Sequence, residues 1–308
     1  VTSRAVRPRT LQWVREFLSD GEWVAGVEVL HGGLTAEMRR LVIGSPEGGR
    51  SLVLRTVVGV EHAEEWLTAE AGTMRLLTST GVPAPELVAF DATGKYCEYP
   101  SLLMTHLPGR TVLGDEGLAE RVPLLARQLV EINALRPAEP IRDFVTESTA
   151  DSAVVPPGAD PSVWAAAIEV LRKPPAYEGR FLHRDFQPGN VLFDDGRLTG
   201  VVDWAGTCWG PTDLDVAHCS TNLALLHGPE WGLRFADAYQ EAGGVLAATA
   251  AEQLYWRLRD ACALSEELEA IPQPWREAGR SDLTTAVVQR RMHAYVTLLL
   301  ETFGGGRA

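Results

Sequence analysis

Residues 181–204, read as FLHRDFQPGNVLFDDGRLTGVVDW, constrain this chain more than any other stretch. Two short apolar runs flank Asp195 and Gly196, and Asp-Gly between alternating runs is the strongest short-range signal for a β-hairpin. A two-residue loop pairs Asp194 with Arg197 and Phe193 with Leu198, and so on back to Asn190 opposite Val201. Cross-strand partners share a face, and so do residues two apart on one strand, so this register predicts Asn190 and Asp203 as diagonal neighbours. Asp185 stands in the loop that leads into the hairpin. Two oxygen ligands side by side, with a third carboxylate nearby, suit a hard divalent cation together with a proton acceptor.

At 308 residues the chain suits two lobes or one large α/β domain. A hydrophobic fraction of 45% with 9 tryptophans indicates a folded protein. The formal charge of −13 argues against nucleic acid or an anionic membrane as a partner, and is compatible with a cationic small substrate. Cys97, Cys208, Cys219 and Cys262 show no CxxC spacing and read as thiols of a reducing compartment. The first ten residues are polar, and no apolar run is long enough to cross a bilayer, so a soluble, cytoplasmic protein is expected.

Along the chain, Thr10 is placed to cap a short helix that Gly21 stops. Three antiparallel strands follow, GVEVLHGG, LTAEMRRLVI and SLVLRTVV, with Gly32 and Gly33 at the first bend. Glycine there lets backbone N–H groups approach a phosphate, although a plain hairpin turn explains the pair as well. On the third strand Val53, Arg55 and Val57 share one face, and Leu52, Leu54 and Thr56 the other. The next helix has an apolar stripe of Ala63, Trp66, Leu67, Met74 and Leu77, with Glu70 in its middle. A carboxylate on a buried face needs a partner, because an unpaired buried charge costs several kcal/mol. Arg55 has the same problem, so the two are predicted to pair. VPAPELVAFD and YPSLLMTHLPG read as further strands. Helical periodicity then dominates, over 118–135, 161–172, 213–226, 230–242, 250–270 and 282–302. The expected division is a small β-rich lobe, 1–106, followed by a larger helical lobe, 107–308.

His183, Arg184, Asp185 and Asn190 match the spacing H-R-D-x-x-x-x-N, and Asp203 follows the hairpin's second strand. That set belongs to phosphoryl transfer: the first Asp takes a hydroxyl proton, while the Asn and the later Asp hold Mg²⁺ against a triphosphate. The stretches HRDFQPGNVLF, GVVDW and GPTDLDVAH resemble the aminoglycoside phosphotransferase family, which is similar in fold to protein kinases and choline kinases. VLR on the third strand, EAGTMRLL, VPAPELV and LLMTHLPG resemble it too, so that the likeness runs from about Val27 to His218.

The resemblance implies an α+β, two-lobed kinase-like fold with an antiparallel N-terminal sheet, one helix in that lobe, and a catalytic hairpin in the helical lobe. It implies that Asp185 is the catalytic base and that Asn190 and Asp203 bind Mg²⁺. Gly32 and Gly33 would lie over the nucleotide. Arg55 would grip the α and β phosphates and Glu70 would hold Arg55. The backbone from Thr105 to Leu107 would meet the adenine, and His183 and Asp215 would be structural. Arg55 stands where kinases generally place Lys, Arg184 where many antibiotic kinases carry Gly, and Gln187 where relatives often have a small polar residue or His. A functional reading of Tyr255, Trp256, Asp260, Glu266, Glu267 and Glu269 lines an acceptor site with them, whereas a solvated helix face over core aromatics explains them more simply.

The leading expectation is an ATP- and Mg²⁺-dependent kinase acting on a hydroxyl of an aminoglycoside, a macrolide or a cellular metabolite. A kinase-like nucleotide-binding protein without transferase activity is the alternative. A metal-dependent hydrolase built on His183, Asp185, Asp203 and Asp213 ranks last, because it leaves Arg55 and Glu70 without a task.

Overall fold

The computed structural model describes residues 6–30, 36–138, 141–146, 149–153 and 155–305. Gly32 and Gly33 lie outside the described residues. The chain divides into two compact units, one of residues 1–109 with 199–205 and one of 110–198 with 206–308.

The first unit is built on a five-stranded antiparallel sheet. Its strands are β1 (Trp23–Leu30), β2 (Glu37–Gly44), β3 (Arg50–Thr56), β4 (Leu87–Asp91) and β5 (Ser101–Thr105), in the order β1-β2-β3-β5-β4. Strand alternation on β3 decides what covers each face. Leu52 and Leu54 join Leu41, Ile43 and Leu103 under Trp13 and Val14 of helix α1 (Pro8–Arg15). Val53 and Val57 lie on the other face with Leu67, Ala71 and Met74 of helix α2 (Ala63–Leu77). Both faces of the central strand are therefore buried, and the guanidinium of Arg55 is enclosed with the valines, as the alternation predicts.

Two local expectations are corrected. Thr10 does not cap α1: Pro8 occupies the first turn after an extended Arg7, the position where a missing N–H costs nothing, and Thr10 is buried inside the helix. Trp66 is not part of the buried stripe of α2 but 39% exposed, because the covered face is centred on Leu67, Glu70, Ala71 and Met74.

The second unit is mainly helical. It opens with β6 (Arg110–Thr111) and α3 (Leu118–Asn133), then α4 (Pro161–Val170) and β7 (Gly179–Leu182). A single 3₁₀ turn (Pro188–Asn190) leads into β8 (Val191–Asp194), which is followed by β9 (Arg197–Val201), whose residues 199–201 belong to the first unit. Asp195 and Gly196 both have positive φ, +45° and +74°, as a two-residue hairpin turn demands. The strands β6, β8 and β9 form one sheet in that order, and β10 (Cys208–Pro211) pairs antiparallel with β7.

Helices α5 (Thr212–His227), α6 (Pro229–Glu241), α7 (Ala250–Ser265), α8 (Pro272–Glu277) and α9 (Thr285–Phe303) complete the unit. A capping box at Thr249 and Glu252 starts α7. That helix stops at Ser265 rather than near 270, and Pro272 opens the short α8 that periodicity did not reveal. Trp164, Trp256, Leu258, Met292, Tyr295 and Leu299 form the heart of the core. Among the described residues no helix is long and apolar enough to cross a membrane.

Candidate active site

In the first unit one guanidinium nitrogen, Arg55 Nη1, donates to Glu70 Oε1 at 2.9 Å and to Asp203 Oδ1 at 3.1 Å. The pairing of Arg55 with Glu70 follows from the periodicity of β3 and α2; the second partner does not. The Glu70 side chain is 2% exposed and that of Asp203 41%. Burial pushes the Glu70 carboxyl up to about 7, with Arg55 opposing and Asp203 adding to the rise. Burial pulls Arg55 down, but Glu70 and Asp203 outweigh it and hold the guanidinium above its ordinary value. Asp203 has a left-handed backbone, φ +65°, an uncommon state for a residue with a side chain. The sharp turn is fixed on both sides: Val201 donates its N–H to Pro83 O at 2.8 Å, and Trp204 Nε1 donates to Val201 O at 2.9 Å.

Thr105 ends β5, where its N–H bonds Glu86 O and its hydroxyl accepts from the N–H of Glu86. The N–H of His106 goes to Ser51 O at 3.3 Å. The donor of Thr105 is spent in the sheet, whereas that of Leu107 meets no acceptor among the described residues.

In the second unit the loop after β7 is held from α5 and α3. Asp215, fully buried, accepts the N–H groups of His183 at 2.9 Å and Arg184 at 2.8 Å, and also Asn133 Nδ2 at 3.1 Å. Asn133 in turn donates to Phe181 O and accepts from the Tyr239 hydroxyl. His183 is buried, and its Nδ1 accepts the N–H of Asp185 at 3.2 Å. Arg184 has φ +73°, the conformation that glycine adopts at no steric cost. Asp215 holds this strained position through the N–H of Arg184 itself and of the residue before it. Gly206 faces it so closely that an added Cβ would lie 3.0 Å from Arg184 Cβ and 3.1 Å from His183 O.

This bracing presents Asp185, whose side chain is 39% exposed. Its Oδ1 receives Gln187 Nε2 at 3.0 Å and lies 2.9 Å from His218 Nε2. Its Oδ2 receives Asn190 Nδ2 at 2.7 Å. Burial works against the charged form, yet the hydrogen bond and charge of His218, with Gln187, hold the carboxyl down at about 2. Asn190 donates through Nδ2 to Asp185 O as well, at 2.9 Å, so that its amide nitrogen rather than its amide oxygen faces these partners. Asp203 likewise gives Oδ1 to Arg55 and keeps a second carboxylate oxygen. Hard oxygen donors of this kind fit Mg²⁺.

Residues outside the sequence motifs complete the site. His218 on α5 lies between Asp185 and Asp260 of α7, with Nδ1 3.0 Å from Asp260 Oδ1. Asp260 is not on a solvated helix face: it is 4% exposed. Tyr255 and Trp256 belong to the core, edge to face at 4.9 Å, while Glu266, Glu267 and Glu269 are exposed. Asp213 spends its carboxylate on the N–H of Ala247, at 3.0 and 3.2 Å. Among the described residues no three His, Cys, Asp or Glu side chains converge to hold a metal ion.

The sequence model of the phosphotransferase enzyme family matches residues 27–255 of this chain. The chain belongs to that family. A homoserine kinase of Gluconacetobacter diazotrophicus is 33% identical over 136 residues, which cover 38% of this chain and 42% of that protein. The chain therefore spans less than half the length of this curated relative. A thermostable mutant of aminoglycoside phosphotransferase APH(4)-Ia, solved as a ternary complex with AMP-PNP and hygromycin B, superposes with a TM-score of 0.62 at 18% identity, covering 98% of this chain and 100% of that one. Amicoumacin kinase hAmiN, solved with AMP-PNP, Ca²⁺ and Ami, gives 0.60 at 11% identity over 95% and 94% of the two chains. At such identities the likeness is one of fold: a mixed α+β chain with an antiparallel sheet and a helical part, as in the kinase-like phosphotransferases of this family.

Proposed function

We propose that the protein is an ATP- and Mg²⁺-dependent O-phosphotransferase acting on a hydroxyl of a small molecule, with Asp185 as the base. The observation that carries this reading is the treatment of Asp185: three donors fix its carboxylate in place, yet the side chain keeps 39% of its exposure. A purely structural aspartate so thoroughly bonded has no need of an open side.

Asp185 accepts a hydrogen bond from the acceptor hydroxyl and orients its oxygen lone pair toward the γ-phosphorus. A carboxylate held near 2 is a weak base toward a free alcohol. The proton moves once the new P–O bond has formed far enough to make the alcohol oxygen acidic, and ADP leaves with the electron pair of the broken bond. Asn190 and Asp203 would each give an oxygen to Mg²⁺, which when bound neutralises phosphate charge. Arg55, steadied by Glu70, would contact the α and β phosphates. The N–H of Leu107 and the carbonyl of Thr105 would meet the adenine edge. In this reading residues 1–106 form the nucleotide-binding lobe and 107–308 the lobe of the catalytic loop and acceptor.

The acceptor belongs to the hydroxyl-bearing classes that the relatives' names span, from homoserine to aminoglycosides. In this reading the −13 charge is compatible with an acceptor carrying an amine, and the ATP requirement is one that the cytoplasm meets. An ADP-release screen across aminoglycosides, macrolides, amino alcohols, hydroxy amino acids and sugars identifies it. ADP release with an acceptor, abolished in Asp185→Asn while the circular dichroism spectrum is kept, supports the reading. Full turnover in that variant sinks it.

One observation favours a nucleotide-binding protein without transfer. The proposed Mg²⁺ ligand Asp203 is already bonded to Arg55, so a metal has to share its carboxylate with a guanidinium. Thermal stabilisation by ATP, with no product across the same screen, selects that alternative.

A further inference from the structure

His218 lies outside the motif residues, and both of its ring nitrogens face carboxylates. Nε2 is 2.9 Å from Asp185 Oδ1 and Nδ1 is 3.0 Å from Asp260 Oδ1. A neutral imidazole carries a single N–H and presents a lone pair at its other nitrogen. In either neutral tautomer, one lone pair would confront a carboxylate oxygen at hydrogen-bond distance. Asn222 Nδ2, 3.2 Å from Nε2, could supply a donor to a neutral ring, but Asp185 would still face a lone pair, and this amide already donates to the His218 carbonyl at 2.9 Å. The doubly protonated ring satisfies both carboxylates at once.

The surroundings agree. Asp260 is 4% exposed and its Oδ2 has no hydrogen-bond partner among the described residues, a costly arrangement for a carboxylate unless a cation lies beside it. The His218 side chain is 14% exposed, so solvent screens the pair little. Position on the helix matters as well. His218 follows Asp215 by three residues on α5, and side chains three apart share a helix face. One face of α5 thus carries both the brace of the loop backbone and the partner of the loop's side chain.

We propose that His218 is a positioning residue for the transfer reaction: a permanently cationic imidazole, anchored on Asp260, that fixes the carboxylate of Asp185 in orientation and in charge. The proposal rests on the reading of Asp185 as the base. Gln187 and Asn190 each offer one further donor to Asp185 from the loop itself, but both are neutral and both move with the loop. His218 ties the carboxylate to two helices of the core instead.

Burial pulls the imidazole down, and the carboxylates of Asp260 and Asp185 more than reverse this, raising it to about 10. Other groups face the array as well. His183 on the loop presents an unprotonated Nδ1 to Asp185, and Asp215 is spent on backbone N–H groups. Cys219 on α5, Cys262 on α7 and Tyr295 on α9 all feel Asp260, and burial pushes each of them up and keeps it neutral.

The test has a spectroscopic arm and a kinetic arm. Long-range ¹H–¹⁵N spectra of the ¹⁵N-labelled protein, with His218 assigned through His218→Gln, read the ring directly. Both nitrogens are expected to carry protons from about pH 7.5 to about pH 9, a range in which an unperturbed histidine is largely neutral. Asp260→Asn is expected to return the ring to single protonation within that range. A neutral His218 in the wild-type protein overturns the proposal whether or not any variant folds.

In the kinetic arm, with the acceptor found by ADP release, His218→Leu is expected to lower kcat roughly 100-fold, the scale of a misplaced catalytic group. KM for ATP and for the acceptor should stay within about threefold, and His218→Gln, which can restore a donor without the charge, should recover part of the loss. Unchanged kcat in His218→Leu, with turnover abolished in Asp185→Asn, overturns the role of His218 and leaves the base assignment standing. Turnover kept in Asp185→Asn overturns both.

Discussion

The two units of this protein each hold a cation between two carboxylates, and the likeness extends to exposure. In the first, Arg55 joins Glu70, 2% exposed, to Asp203, 41% exposed. In the second, His218 joins Asp260, 6% exposed at the side chain, to Asp185, 39% exposed. In both, a buried carboxylate anchors the cation and the cation steadies an open carboxylate, the one to which the proposed chemistry falls. The cations differ. Guanidinium is charged at every accessible pH, whereas imidazolium persists only because its two neighbours hold its proton.

The comparison breaks first at the open carboxylates. Asp185→Asn is expected to lower turnover roughly 10³-fold, within the span of lost acid–base groups, as measured by ADP release. Its fold should survive, because the amide oxygen can keep the donors Gln187 and His218, and the side chain is 39% exposed, so that the displaced Asn190 donor can turn to water. The buried anchors come next. Glu70→Ala leaves Arg55 enclosed with only Asp203, and should cost about 3–5 kcal/mol in urea denaturation. Asp260→Ala should also cost more stability than Asp185→Asn does; equal losses would end the division into anchors and working groups.

A smaller effect separates the two cations. Folding raises His218 from about 6.5 in an unfolded chain to about 10. A group raised on folding contributes stability that is complete below its unfolded value and vanishes as pH climbs through the folded one. The melting-temperature gap between wild type and His218→Gln should therefore hold steady below about pH 6.5 and close by about pH 10. No such closure is expected for Arg55→Met against wild type over the same range. Smallest of all, Asp203→Ala should change stability by less than about 1 kcal/mol, as an exposed ion-pair partner does.

These differences explain what could be read from the sequence. Arg55 and Glu70 were legible because each interrupts a clean apolar pattern, one of period two and one of period 3.6, so that their burial and pairing followed. The H-R-D-x-x-x-x-N spacing made Asp185 and Asn190 legible, and Asp195-Gly196 made the turn so. His218 had no such frame. Helix α5 is buried nearly all round, with Asp213, Asp215, Ser220, Thr221 and Asn222 enclosed beside its leucines. No stripe exists there for a polar residue to interrupt. In sequence Asp260 reads with Glu266, Glu267 and Glu269 as a surface carboxylate, but the helix ends at Ser265, and the acidic run belongs to the turn beyond it. The second bond of Arg55, to Asp203, spans 148 residues of sequence, beyond the reach of any local periodicity.

The way the chain is shared between its units also constrains how it can be taken apart. Residues 199–205 cluster with residues 1–109, so the chain passes from one unit to the other three times, after Gly109, Leu198 and Ala205. A fragment ending at Gly109 is therefore not a separable module. It lacks Asp203, the partner of Arg55. It also lacks the Val201 N–H that bonds Pro83 and the Thr199 hydroxyl that bonds Pro108. Recombining the unit that holds Arg55 with the helical unit of another protein means cutting and resealing the chain at three places, not one. Inheritance of this site, by evolution or at the bench, favours the whole chain.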